Sequence, residues 1–233
     1  MTATFINMAL VLLGGAIGLI FKNKINENFS KSLVCALGLC VLVIGIQSAV
    51  KTENMILVII SIIIGTLTGE YLNIEGRLYG LGESLKNKFG KGESSKTFAE
   101  GFLSSSLLFC VGSMAVMGSM EAGINGDYSI IISKSIIDGI TAISLAAALG
   151  MGVLFSAFAI LIYQGGITII SMYLGSFMSP VMITEMSAVG GILIIALSLN
   201  MLGIAKTKPG NMLPAILVPI IYYPLSNWIL SLI

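Results

Sequence analysis

The sequence predicts an all-α, polytopic transmembrane helix bundle of about eight spans, and three observations carry that prediction. The chain has 233 residues, of which 56% are hydrophobic and 10% charged, with a mean hydropathy of +1.01. An ordinary soluble domain carries about 25% charge, so this chain lacks the polar groups to cover a water-exposed surface. The apolar residues also come in long blocks close to the roughly 20 residues a spanning helix needs. They are too continuous for the alternating segments of about 10 residues that build outer-membrane barrels. Finally, the basic residues gather on one side of the membrane once the spans are drawn.

The first span is expected at about 4–21, ending before Lys22 and Lys24, and the second at about 31–50, ending at Lys51. The third covers about 54–72, and a polar stretch at roughly 73–98 follows with Arg77, Lys86, Lys88, Lys91 and Lys96. There Ile74, Leu78, Leu81, Leu85 and Phe89 recur at helical spacing, which predicts an amphipathic helix continuing from the third span and then a Gly/Ser/Lys hinge. The fourth span covers about 99–119, followed by a short polar loop with Glu121, Asn125 and Asp127. Residues 128–178 form one apolar block of 51 residues, long enough for two spans. A break near Gly150-Met151-Gly152 gives spans of about 129–149 and 153–175. The last two are expected at about 183–204 and 211–232, and the whole chain, 1–233, reads as one integral membrane domain.

Charge tests the division. With both termini outside, the inside loops and their edges hold Lys22, Lys24, Lys31, Arg77, Lys86, Lys88, Lys91, Lys96, Lys206 and Lys208, ten of the twelve basic residues. Cytoplasmic loops carry such an excess. A single span through the long block would move Lys206 and Lys208 outside, so the pattern favours eight spans in a cytoplasmic membrane.

Composition excludes several functions. A net charge of +1 offers no basic surface for nucleic acid. The chain has no histidine, which removes the commonest metal ligand and proton shuttle. Cys35, Cys40 and Cys110 lie in apolar runs without CxxC spacing, as packing residues. The N-terminal stretch has no basic region, so no cleaved signal peptide is expected. No nucleotide loop, dinucleotide fingerprint, zinc motif or histidine-activated nucleophile is present. Neither an enzyme nor a cofactor is expected.

The candidate chemistry is intramembrane. Lys134 and Asp138 fall in the fifth span at i and i+4, on one helix face. An isolated charge there costs about 2.5–3.5 kcal/mol on insertion scales. The pair is either an ion or proton site, with Lys134 competing for Asp138, or a structural salt bridge. In the fourth span Ser104, Ser105, Ser106, Gly112, Ser113, Gly118 and Ser119 permit close helix packing. They equally fit a helix broken at 109–112 whose freed backbone groups, around Gly112 and Ser113, bind an ion. Gln164, before a further candidate break at Gly165-Gly166, and Asn200 lie within spans six and seven, as pathway residues or interhelical hydrogen bonds. Pro214, Pro219 and Pro224 make the last span irregular, with Tyr222 and Tyr223 near its outer end. Glu70, Glu100 and Glu185 fall at span ends, where snorkelling to the interface is expected. Gly14-x-x-x-Gly18 and Gly65-x-x-x-Gly69 predict tight helix contacts, including contacts between protomers of a homo-oligomer. The strings ALGLCVLVIGI (36–46) and IALSLNMLGI (195–204) share a cadence on spans of opposite direction, as an inverted repeat would.

The runs EGFLSSSLLFCVGSMAVMGSMEAGINGD and KSIIDGITAISLAAALGMGVLFSA, with GTLTGEYLNIE (65–75) and the Gln164-Gly165 step, resemble the YqgA/YdfK-like bacterial membrane proteins, known as domain of unknown function 554. The similarity covers nearly the whole chain. It implies a polytopic protein of the bacterial cytoplasmic membrane and carries the suggestion of a sodium channel or pump. Lys134 and Asp138 fall in its KSxxDG string. The expectation is thus a transporter or ion-conducting protein moving a small solute or a monovalent cation, sodium or proton, with Asp138 central and Lys134, Ser113, Gly112, Gln164 and Asn200 nearby. The other reading is a non-transporting structural or regulatory membrane protein that presents the 73–98 loop to a partner.

Overall fold

The structure, a computed structural model, describes residues 1–22, 27–77, 80, 95–174 and 178–230, and among these there is no strand. The helices are α1 (Thr2–Lys22), α2 (Glu27–Ala49), α3 (Met55–Leu72), α4 (Ser95–Cys110), α5 (Ser113–Ile124), α6 (Ser129–Leu149), α7 (Gly152–Leu174), α8 (Pro180–Met201), a short α9 (Pro209–Met212), a 3₁₀ segment (Leu213–Leu217) and α10 (Val218–Leu230). Among the described residues six helices are long and apolar enough to cross a membrane, and α4 with α5, bent by 58° at their break, is a candidate for a further span.

On α3 many of the largest apolar residues face outward. Its buried positions are Leu57, Val58, Ser61, Gly65 and Gly69, whereas Ile56, Ile63 and Leu67 face outward at 71%, 53% and 68% exposure. Small and hydroxylated residues let helices meet and large aliphatics face lipid, since apolar burial between helices gains little in hydrocarbon.

Glycine contacts set the pairings. A Cβ at Gly14 would lie 2.1 Å from the Gly139 carbonyl oxygen and one at Gly18 2.3 Å from that of Ile143, so α1 and α6 run parallel and nearly backbone to backbone. Gly191 approaches Gly45 and Ala49, and Gly38 meets Met201 and Leu202, so α2 and α8 run antiparallel. The two similar strings therefore lie against each other. Gly65 and Gly69 meet Ala215 and Asn211, which brings the C-terminal segment back along α3. Both small-xxx-small motifs are thus used within the protomer.

Two spans are interrupted. The start of α4 lies on the start of α7, with Phe98 against Gly152, and the end of α5 lies on its end, with Gly123 against Thr168 and Ser171. The two halves accompany one straight helix from end to end, so they make one broken crossing at Val111–Gly112, the second of the two readings of that serine-rich span. The last span, expected at 211–232, is divided into α9, the 3₁₀ turn and α10, with Pro224 inside α10. Each proline lacks an N–H and crowds the preceding turn, which prevents one continuous helix. That segment still runs from Asn211 beside Gly69 to Tyr223 near Glu53 and Glu185 at the opposite end of α3. Among the described residues this gives six straight candidate spans, the bent α4–α5 pair, and a broken C-terminal segment lying along α3.

The long apolar block divides where expected, at Gly150, whose φ of 82° suits glycine alone. By contrast, α7 continues unbroken through Gly165-Gly166. The amphipathic helix expected at 73–98 falls mostly outside the described residues, which show Asn73 as the left-handed cap of α3 and one helical turn at 74–77.

Candidate functional site

Three of the predicted residues meet at one buried cluster. Lys134 and Asp138 on α6 form an ion pair through Asp138 Oδ2, both side chains almost sealed from the surface. The same Oδ2 accepts a hydrogen bond from Asn7 Nδ2 of α1 at 3.1 Å, and that amide nitrogen also donates to Gln164 Oε1 of α7 at 3.0 Å. Asn7 and Gln164 are fully buried. The close glycine packing of α1 on α6 fixes this geometry, since Gly139 adjoins Asp138 and only a backbone-to-backbone approach brings a short asparagine within reach of it.

The broken helix ends beside the cluster. Phe109, near the end of α4, packs with Val11, Ala142 and Leu145 of α1 and α6. Cys110 lies close enough to Lys134 and Asp138 to feel both charges. Gly112 then turns the chain at φ 129° and is the N-cap of α5 without a side-chain hydrogen bond. Ser113 opens α5, and its side chain lies outside the described part of the structure.

Asn200 lies elsewhere. It is the next-to-last residue of α8, where its amide clasps Thr207 by accepting from the backbone N–H at 2.8 Å and donating to the carbonyl at 2.8 Å. It lines a cavity of about 540 Å³ with Glu75, Glu100, Lys206 and Lys208, at the end of the bundle rich in lysine. Burial raises the Glu75 carboxyl above the usual glutamate range, while the Gly210 N–H, donated to its Oε2 at 2.9 Å, partly opposes this. Glu70 meets Lys208 at 3.1 Å on the exposed surface.

Glu185 does not snorkel. Pro180 at the first turn and Ser179 as N-cap start α8 three residues before the expected boundary, so Glu185 lies one turn inside and is fully buried. Its carboxylate accepts from Thr52 Oγ1 at 2.6 Å and from the backbone N–H groups of Glu53 and Asn54 at 2.8 and 3.1 Å. This clamps the loop that starts α3.

Sequence reasoning missed Asn7. Its signal was an amide in an otherwise apolar run, TFINMALVLLGG. It also missed Thr168 and Ser171, which share a face of α7 with Gln164 at i+4 and i+7 and are 0% and 1% exposed.

Comparison with known proteins finds relatives that match over nearly the whole chain. An uncharacterized membrane protein of Bacillus subtilis (strain 168), YdfK, is 35% identical over 223 residues, 94% of each chain. An uncharacterized protein of Escherichia coli (strain K12), YqgA, is 32% identical over 217 residues, 92% of each chain. No solved structure matches. The profile of a protein family of unknown function, DUF554, matches residues 2–224, and the chain belongs to that family.

Proposed function

We propose that this protein is a transporter or ion-conducting protein of the bacterial cytoplasmic membrane, with both termini outside, and that Asp138 holds its cargo, a monovalent cation or a small cationic solute. One observation carries the reading. A Lys–Asp pair, an asparagine and a glutamine converge from three apolar helices at a buried point, about nine residues inside α6. Intramembrane ionisable residues mark substrate and ion paths far more often than packing sites.

The arrangement can exchange charges without burying a net one. While Lys134 pairs with Asp138, the cluster is neutral. A cation at Asp138 replaces the ammonium, which must then move or lose its proton. Asn7 Nδ2 stays on the carboxylate and limits its rotation. The α4–α5 break supplies a backbone turn at Gly112, where an added Cβ would meet nothing within 4 Å beyond its chain neighbours.

The test is the thermal stability of the purified protein in detergent against monovalent cations, pH and small metabolites, with Asp138→Asn in parallel. A ligand that binds only the folded state adds about 2.7 kcal/mol at a hundredfold excess over its dissociation constant. A selective shift lost in Asp138→Asn supports the reading. Flat responses from every ligand, with the variant merely less stable, would leave the pair a structural bridge.

A further inference from the structure

Hydroxyl groups in this bundle follow a rule. Ser61, Ser105, Ser119, Ser135 and Ser187 each donate to the carbonyl oxygen four residues back, at 2.6–2.8 Å. A hydroxyl among lipid chains satisfies itself this way. Thr168 and Ser171 on α7 break the rule, for neither oxygen has a partner among the described residues. Two further unpartnered atoms adjoin the cluster, Asn7 Oδ1 and Gln164 Nε2. All four residues are at most 2% exposed. Of the other unpartnered atoms among the described residues, those of Thr66 and Ser106 sit on part-buried residues, and Asn211 Nδ2 lies in the C-terminal segment beside Gly69.

The four are not scattered. Gln164, Thr168 and Ser171 form one stripe on α7, about 10 Å long at 1.5 Å per residue. It starts at the Asn7–Asp138 contact and runs towards the end of the bundle where α1 begins. An unpartnered buried polar group costs about 1–3 kcal/mol, and three on one helix face are poor packing for a dry interface. A covering element is present. Gly123 of α5 lies so close that an added Cβ would fall 2.5 Å from the Thr168 carbonyl oxygen and 2.9 Å from Ser171 Cβ.

We propose that this stripe is the outer access route to Asp138, a file of waters or a dehydrated cation passing Ser171, Thr168 and Gln164, and that α5 closes it by seating Gly123 on α7. The inference rests on the transport reading and adds the route and its gate. Hydroxyl and amide oxygens suit a small cation, and the Gln164 amide nitrogen suits water. The broken span makes closure local, because α5 can tilt about Gly112 without moving α4.

The test is thiol labelling in proteoliposomes of mixed orientation, with Cys35, Cys40 and Cys110 replaced by alanine. Thr168→Cys and Ser171→Cys are compared with Ile169→Cys and Ile170→Cys, native positions each 43% exposed on the outer face of the same helix. Asp127→Cys in the exposed loop is the positive control. A membrane-impermeant charged thiosulfonate should modify positions 168 and 171 at least roughly tenfold faster than 169 and 170, because only a wetted thiol ionises and reacts. A Gly123→Leu variant, whose side chain cannot seat against the Thr168 backbone, should speed labelling at 168 and 171 but not at 127. Equal, negligible labelling at all four α7 positions would overturn the route. If Asp138→Asn still abolished ligand-linked stability in that case, the transport reading would stand without it. As a second measurement on a near-isosteric variant, a raised melting temperature in Thr168→Val would mark a dry packing defect and also overturn it.

Discussion

Breaking the Lys134–Asp138 pair one partner at a time is the sharpest perturbation of the cluster. Lys134→Met leaves a buried carboxylate with one remaining donor among the described contacts, Asn7 Nδ2 at 3.1 Å. Asp138→Leu leaves a buried ammonium without its carboxylate and frees Asn7 Nδ2 from one of two bonds. Orphaning one member of a buried pair costs about 3–5 kcal/mol. The double variant Lys134→Met/Asp138→Leu removes both charges, and such replacements are often neutral or stabilising by about 1–4 kcal/mol. The singles should therefore not add, and the cycle should show a coupling of at least about 3 kcal/mol. Equilibrium unfolding in mixed micelles, titrated with a denaturing detergent, measures all four proteins. Two single variants each within about 1 kcal/mol of wild type and strictly additive would refute the reasoning. That result would mean the pair is already solvated, not sealed between α1, α6 and α7. A stable double variant with lost ligand response would separate function from folding.

The remaining predictions concern packing and pH. Gly69→Ala places a Cβ 1.8 Å from the Asn211 carbonyl oxygen, against backbone that cannot yield, whereas Gly166 has open space around it; Gly69→Ala should lower stability by about 1–3 kcal/mol and Gly166→Ala should not, by thermal melting. Glu185→Ala removes the acceptor of three hydrogen bonds and should cost several times the roughly 1 kcal/mol of a neutral bond, while Glu185→Gln retains an acceptor and should recover part of it. Glu75 binds its proton more tightly folded than unfolded, so its contribution to stability falls as pH rises from the ordinary glutamate value through its raised folded value. Stability measured across that window should fall less in Glu75→Gln than in wild type, and identical slopes would exclude Glu75 as the cause.

The sequence made most of the scaffold legible, because lipid imposes one simple demand on every span. A length of about 20 apolar residues marked the six straight spans within a few residues, and the lysines at 206 and 208 favoured a division of the long block. The Lys134–Asp138 pair was equally plain, since charges inside apolar runs stand out. What stayed hidden depends on helix rotation. Asn200 and Gln164 look alike in sequence, yet one clasps the loop after α8 and the other joins Asp138 through Asn7. Asn7 joins the cluster only because Gly14 and Gly18 bring α1 against α6, a pairing between spans one and five that no local pattern encodes. Glu185 was misplaced for a different reason. A boundary error of three residues turned a buried clamp into an apparent interfacial group. The fourth span left two readings open because serine and glycine serve both close packing and helix breaks, and only the path of both halves along α7 separates them.

The proposed role of Asp138 is to hold a cargo that crosses the membrane. Its most direct test is flux into proteoliposomes for a panel of monovalent cations and small cationic solutes, with wild type, Asp138→Asn and empty vesicles side by side. Wild type should show saturable, selective uptake, reduced to the level of empty vesicles by Asp138→Asn although that variant remains folded. Uptake by Asp138→Asn equal to wild type would contradict it.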